Sequence, residues 1–123
     1  LNPERIAAIR NQWKGTLVVK GIATVSDALM AKQLGVDGII VSNHGGRQLD
    51  AGESSIATLP AIINAVGDSV TVMMDSGIRS GPDIARALAC GAQFTFLGRA
   101  FMYGVAALGK QGGNHTISIL KTQ

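Results

Sequence analysis

The stretch GIIVSNHGGRQ, residues 38–48, determines the predicted fold of this chain of 123 residues. Residues 38–41 contain no polar side chain, a pattern typical of a strand that is buried on both faces of a parallel sheet. Residues 42–48 are polar or glycine, so they predict a loop at the carboxyl end of that strand. We therefore expect a parallel sheet in which at least one strand leads into a loop with several reactive side chains.

Three further apolar stretches repeat this arrangement on both sides of residues 38–41. They cover residues 16–19, 69–74 and 93–97, and each is followed by a segment with helical spacing. Four strand–helix units in succession favour a parallel sheet covered by helices, either doubly wound or part of a (β/α)₈ barrel. Because a complete barrel needs about 250 residues, four units correspond to half of one.

Local signals predict where three of the helices begin and end. A Ser or Thr followed by Asp or Pro is typical of a helix start, and a glycine after the last apolar position is typical of a helix end. The predicted starts are Thr24, Thr58 and Ser80, and the predicted ends are Gly35, Gly67 and Gly91.

The composition excludes several classes of protein. Hydrophobic residues make up 46% and charged residues 15% of the chain, which excludes a disordered segment. The net charge of +3 comes from dispersed Lys and Arg residues, so no nucleic-acid partner is expected. Every apolar run is far shorter than the roughly 18 residues of a membrane span, and no transmembrane helix is expected.

The single cysteine, Cys90, excludes an internal disulfide and a multi-cysteine zinc site, and it fits a reducing compartment. We expect a cytoplasmic protein, or one that is peripheral to the inner membrane. The chain begins with Leu1, and residues 116–123 break off inside a helix-like pattern. We therefore expect it to be part of a longer protein.

The residues directly after each predicted strand are unusually polar. They are Lys20, the segment 42–48, the segment 75–79 and the pair Gly98-Arg99. Ligands of parallel α/β folds bind at the carboxyl ends of the strands. We therefore expect all four segments to face one binding site.

Three of these residues suit an acidic substrate. Lys20 places an ammonium group where it could stabilise an anion. His44 is a candidate general base, because imidazole titrates near neutrality and can accept a hydroxyl proton. Arg47 offers a planar guanidinium that pairs with a carboxylate. Plainer interpretations stand beside these, since a lysine after a strand can simply face solvent and a loop histidine can be structural.

The last two strand ends suit a phosphate group. Gly77, Arg79, Gly98 and Arg99 combine exposed amides with guanidinium groups, and the loops after the last two strands are the usual phosphate site of such barrels. Asp75 is a candidate acceptor for ligand hydroxyl groups. Glycine–arginine pairs also occur in plain turns, and an aspartate here could instead cap neighbouring amides.

Residues 42–48, SNHGGRQ, resemble the active-site signature of the FMN-dependent 2-hydroxy acid dehydrogenases and oxidases, the family of glycolate oxidase and L-lactate dehydrogenase. Residues 18–21, VVKG, resemble the fifth-strand segment of that family, and residues 75–99 resemble its flavin-phosphate segment, in the same order and spacing. The resemblance covers essentially the whole chain. It implies FMN as cofactor and a (β/α)₈ TIM barrel of which residues 1–123 are the carboxy-terminal half, strands five to eight.

The resemblance also implies roles for single residues. The lysine that matches Lys20 stabilises the reduced, anionic flavin near its N1 and O2 atoms, and the serine that matches Ser42 lies close to the flavin. The histidine that matches His44 accepts the proton of the substrate hydroxyl, and the arginine that matches Arg47 binds the substrate carboxylate. The residues that match positions holding the ribityl chain and phosphate are Asp75, Gly77, Arg79, Gly98 and Arg99.

The reaction implied by the resemblance is oxidation of an L-2-hydroxy acid to the 2-oxo acid, with the α-hydrogen passing to flavin N5; a carbanion route is the rival mechanism. The segment looks more like bacterial L-lactate dehydrogenases than like other members of the family, so L-lactate is the expected substrate. Oxygen, a quinone or a cytochrome would accept the electrons, and a homo-oligomer is expected. Because the family's amino-terminal half is missing, residues 1–123 alone are expected to be inactive.

Three alternatives stay open at this point. The chain could belong to another phosphate-binding barrel enzyme, such as an inosine monophosphate dehydrogenase or a type 2 isopentenyl diphosphate isomerase, although these lack the pair of His44 and Arg47. It could be a non-catalytic fragment. An anion- or nucleic-acid-binding module would require Arg79, Arg86 and Arg99 to share one exposed face.

Overall fold

The computed structural model describes residues 2–123 as an alternation of helices and parallel strands. All neighbouring strands run parallel, in the order β1-β2-β3-β4. The elements are α1 (Pro3–Gln12), β1 (Val18–Ile22), α2 (Val25–Gln33), β2 (Gly38–Val41), α3 (Ser55–Val66), β3 (Thr71–Met74), α4 (Gly81–Ala89), β4 (Phe94–Thr95), α5 (Arg99–Leu108) and α6 (Gly112–Thr122).

The consecutive strand order decides between the two predicted arrangements. A doubly wound sheet reverses its order at a switch point, whereas each strand here pairs with the next one along the chain. The predicted α/β fold with a parallel sheet is confirmed, and the doubly wound alternative is wrong for residues 2–123. The order is the one that consecutive strands of a (β/α)₈ barrel adopt.

One face of the sheet forms the hydrophobic core. Ile39 and Val41 of β2 and Val72 of β3 are fully buried, together with Leu59 and Ile62 of α3. The alternate strand positions point to the other face and are less covered: Val18 is 40% exposed and Phe94 is 56% exposed. The described helices therefore cover one face of the sheet and leave the opposite face partly open.

The helix starts at two of the three predicted positions are confirmed. The Thr24 hydroxyl accepts a hydrogen bond from the Asp27 amide at 3.1 Å and caps α2. Ser80 and Asp83 form a reciprocal capping box at the start of α4. In both cases a short polar side chain satisfies an amide that has no partner within the helix.

The predicted start of α3 at Thr58 is wrong, because the helix begins at Ser55 and Pro60 lies inside it. Proline costs a helix interior one hydrogen bond and a steric adjustment, about 3 kcal/mol. Burial of Leu59 and Ile62 in the core offsets this cost, since each fully buried side chain contributes roughly 1.5–3 kcal/mol. Tertiary packing thus extends the helix past the local signal.

Three strands also differ from the prediction in their bounds, and β3 begins at Thr71 rather than at residue 69. β1 continues to Ile22, so Lys20 lies within the strand, where it pairs in register with Ile40 of β2. β4 covers only Phe94–Thr95, which pair with Met73 and Met74 of β3. In the part of the chain that is described, no helix has the length and hydropathy needed to cross a membrane.

Candidate active site

A cavity of about 800 Å³ lies at the carboxyl ends of the strands. This volume is within the range of small-molecule and cofactor sites, roughly 300–1,000 Å³. Seven of the nine predicted site residues line it: His44, Arg47, Asp75, Gly77, Arg79, Gly98 and Arg99. The structure thus brings three of the four polar strand ends into one site.

Lys20 and Ser42 do not line this cavity, but they contact a residue that does. The Lys20 ammonium donates to the Ser42 hydroxyl at 2.9 Å and forms an ion pair with the Asp75 carboxylate at 2.8 Å. Ser42 is buried, and the Asp75 side chain is only 18% exposed. The two predicted residues are therefore joined to the cavity wall through Asp75, and the Lys20 side chain is itself 45% exposed.

The pKa of the Asp75 carboxyl is lowered in this network. Burial alone would raise it, but hydrogen bonds from Lys20, Ser42 and Ser76 and the positive charge of Lys20 outweigh that effect. Asp75 is therefore held as a carboxylate, an acceptor of hydrogen bonds at the edge of the cavity.

This network predicts a pH-dependent contribution to stability. A carboxylate whose pKa is lowered in the folded state stabilises the fold above its ordinary pKa of 3.8, and this contribution is lost as the pH falls through the folded-state value. We expect the Tm advantage of the wild type over Asp75→Asn to shrink between pH 6 and pH 3 in circular dichroism melts. Asp68→Asn, which removes an exposed carboxylate far from the cavity, supplies the baseline. A Tm difference between wild type and Asp75→Asn that stays constant with pH would contradict the assignment.

A short turn presents the predicted base and the predicted carboxylate ligand. Residues His44–Gly46 form a 3₁₀ turn directly after β2, and Arg47 closes it. His44, Gly45 and Gly46 all have positive φ angles, of 58°, 68° and 73°. This conformation costs glycine nothing but is uncommon for other residues, so His44 is held in a strained backbone geometry. His44 and Arg47 are both exposed, and both line the cavity.

Three hydrogen bonds from neighbouring strand ends fix this turn. The His44 amide donates to the Ser42 hydroxyl at 3.1 Å, and the Gly45 amide donates to the Ser76 hydroxyl at 2.9 Å. The Arg99 guanidinium donates to the Gly45 carbonyl at 2.8 Å. The turn is therefore held by β2, by the loop after β3 and by the start of α5 at once.

Sequence reasoning assigned no role to two residues that the structure places in this site. Ser76 has a positive φ of 74° and donates to Asp75 at 2.8 Å, so it joins the aspartate to the turn. Asn43 accepts hydrogen bonds from the amides of Gly45 and Gly46. Their place in the sequence could have identified them, since both residues lie inside the polar segments that follow β2 and β3.

The part of the cavity wall that follows β3 and β4 has the features of an anion site. A Cβ atom at Gly77 or Gly98 would meet nothing within 4 Å, so backbone there faces open space. Gly98 begins α5 without a side-chain cap, which leaves helix N-terminal amides available to a ligand. Arg79 lines the cavity, and its guanidinium forms no ion pair within residues 2–123. This donor set fits the phosphate of a nucleotide-type cofactor such as FMN.

The sequence matches a known family over its whole length. The family described as FMN-dependent dehydrogenase matches residues 1–123. An FMN-dependent alpha-hydroxy acid dehydrogenase of Schizosaccharomyces pombe is 50% identical over 117 residues, which cover 95% of this chain and 29% of that protein. An L-lactate dehydrogenase of Caulobacter sp. strain K31 is 50% identical over 115 residues, covering 94% of this chain and 30% of that protein.

Solved structures of mandelate oxidases are similar to this chain in fold and in sequence. A crystal structure of mandelate oxidase with 3,3-difluoro-2-hydroxy-3-phenylpropionic acid has a TM-score of 0.94 and 40% identity, covering 99% of this chain and 37% of that one. A mandelate oxidase mutant with a monooxide FMN adduct has a TM-score of 0.93 and 40% identity, covering 99% and 39%. These neighbours are TIM barrels.

The chain belongs to the FMN-dependent 2-hydroxy acid dehydrogenase family, as its sequence signature predicted. FMN is the cofactor of that family, and the cavity described above has groups that suit it. The chain spans only about 29–30% of the length of these curated relatives.

Proposed function

We propose that residues 1–123 are the carboxy-terminal half, strands five to eight, of an FMN-dependent 2-hydroxy acid dehydrogenase domain. The consecutive parallel order of β1 to β4 supports this, as does the partly open face of the sheet. β1 and β4 are both edges of the described sheet, and four further strands would close it into a barrel. The 37% share of a mandelate oxidase chain that this chain covers is in keeping with that assignment.

The proposed reaction is oxidation of an L-2-hydroxy acid to the 2-oxo acid. The observation that carries it is the placement of His44 and Arg47 on one turn at the wall of the cavity. Arg47 binds the substrate carboxylate through its planar guanidinium. This fixes the α-carbon of the substrate near the imidazole of His44, which takes the proton of the substrate hydroxyl.

When bound, FMN supplies the two-electron acceptor for this oxidation. Arg79, Arg99 and the open backbone at Gly77 and Gly98 would hold its phosphate. The Asp75 carboxylate would accept hydrogen bonds from ribityl hydroxyl groups. The Lys20 ammonium, kept beside Ser42 and Asp75, would stabilise negative charge on the flavin. The residues proposed to bind FMN are therefore Lys20, Ser42, Asp75, Gly77, Arg79, Gly98 and Arg99.

The substrate, the electron acceptor, the assembly, the location and the inactivity of residues 1–123 alone also belong to the proposal. The substrate is L-lactate, because relatives with about half of their aligned residues identical are named L-lactate dehydrogenase. The electron acceptor that reoxidises the flavin is oxygen, a quinone or a cytochrome. The full-length protein forms a homo-oligomer, and it is cytoplasmic or peripheral to the inner membrane. Residues 1–123 alone are inactive, because half of the cavity wall would come from the rest of the barrel.

An anaerobic visible spectrum tests the proposal. The full-length protein that carries residues 1–123 is expected to show an oxidised flavin spectrum that bleaches when L-lactate is added. Bleaching by L-mandelate but not by L-lactate would keep the reaction and replace the substrate, since the structural neighbours are mandelate oxidases. A flavin spectrum that no 2-hydroxy acid bleaches, or a protein that takes up no FMN, would contradict it.

A further inference from the structure

Asn43 of the signature segment has no part in the proposed chemistry, yet its hydrogen bonds reach both the turn and the far side of the loop. Asn43 lies between Ser42 and His44, and its side chain is half-buried. Its Oδ1 atom accepts hydrogen bonds from the Gly45 amide at 3.0 Å and the Gly46 amide at 3.3 Å. This is the capping arrangement that stabilises the first amides of a helical turn.

The same residue also closes the neck of the loop. The Asn43 Nδ2 atom donates to the Glu53 carbonyl at 3.2 Å, and the Asn43 amide donates to the Ser55 hydroxyl at 3.1 Å. Ser55 is buried and is the first residue of α3. Asn43 therefore joins the point where the chain leaves β2 to the point where it enters α3, and residues 44–52 form a loop closed at that neck.

The backbone geometry of His44 gives these contacts a function. A non-glycine residue with a φ of 58° keeps that conformation only when its surroundings determine it. Asn43 holds the two residues that follow His44 and fixes the base of the loop, so it restricts both flanks of the turn. A general base and a carboxylate ligand on one loop need such restriction to keep a productive geometry.

We propose that Asn43 is the positioning residue that orients His44 and Arg47 for the reaction; this inference rests on the proposed function. It predicts that Asn43→Ala lowers kcat by about tenfold with the affinity for FMN unchanged, because misplacement of reacting groups reduces the rate. Asn43→Asp keeps the oxygen that caps the turn but loses the donor to Glu53, so its kcat is expected to lie between those of Asn43→Ala and the wild type.

A matched control separates positioning from loss of stability. Thr24→Ala removes the capping hydroxyl of α2, outside the cavity, and an N-cap loss of this kind destabilises a protein by a similar amount. We expect Thr24→Ala to lower the Tm as much as Asn43→Ala does while leaving kcat unchanged. Equal losses of kcat in the two variants, or a fall in FMN affinity that parallels the fall in kcat, would overturn the proposal.

Hydrogen exchange of the FMN-free, full-length protein tests the positioning without any substrate. Asn43→Ala and, to a smaller extent, Asn43→Asp are expected to exchange faster in a peptide spanning 44–47, with α2 unchanged. In Thr24→Ala we expect faster exchange in α2 and unchanged exchange in the peptide spanning 44–47. Unchanged exchange of 44–47 in both Asn43 variants would overturn the inference, and if Asn43→Ala fails to fold, Asn43→Asp decides alone. Failure of the proposed function would appear separately, as a wild type whose flavin no 2-hydroxy acid reduces.

Discussion

Substitution of His44 by glutamine in the full-length protein is expected to lower kcat for L-lactate by about a hundredfold to ten-thousandfold, the usual contribution of a positioned general base. Glutamine keeps a polar side chain of comparable length but cannot accept the hydroxyl proton. The neighbouring Arg47 is unchanged, so binding of a 2-oxo acid such as pyruvate should persist. Stopped-flow measurement of flavin reduction, together with pyruvate titration of the flavin spectrum, separates the two effects.

The second histidine of the chain provides the matched control. His115 lies exposed on α6, and it is not among the residues that line the cavity. His115→Gln should therefore leave the rate of flavin reduction unchanged. Comparable rate losses in the two variants, or a His44→Gln variant that reduces flavin at the wild-type rate, would remove His44 from the proposed mechanism.

The fold could be predicted from sequence wherever local and tertiary preferences agree. Residues 38–41 are apolar and three of the four are buried, and β2 occupies the predicted range Gly38–Val41. The start of α3 could not be predicted, because burial of Leu59 and Ile62 overrides the signal of Pro60. The bounds of β4 follow its pairing with Met73 and Met74 of β3, and such pairing is a long-range property.

The sequence predicted which residues form the site better than it predicted the contacts between them. Chemistry at strand ends identified seven of the residues that line the cavity, because parallel strands bring their carboxyl ends to one edge. The ion pair between Lys20 and Asp75 joins two different strand ends, and no spacing in the sequence encodes it. The role of Asn43 was also missed, since its contacts with Glu53 and Ser55 depend on how the loop folds back.

Substitution of Arg79 by alanine is expected to weaken FMN binding by about ten- to hundredfold, because a hydrogen bond to a charged group contributes roughly 1.5–3 kcal/mol. Arg79 lines the cavity together with Gly77, where backbone faces open space. The side chain has no ion pair within residues 2–123, so its loss leaves no protein carboxylate unpaired. Fluorescence quenching of FMN titrated with the FMN-free, full-length protein gives the dissociation constant.

Arg86 allows the effect of charge to be separated from the effect of position. It lies on α4, its side chain is 71% exposed, and it pairs with Asp83 at the surface, an interaction that contributes little. Arg86→Ala removes the same positive charge as Arg79→Ala, so a long-range electrostatic contribution would weaken FMN binding in both variants and disappear at high salt. Loss of affinity confined to Arg79→Ala, and retained at high salt, would instead identify a direct contact with the phosphate. Equal affinities in Arg79→Ala and the wild type would exclude Arg79 from the phosphate site and leave Arg99 and the start of α5 as its donors.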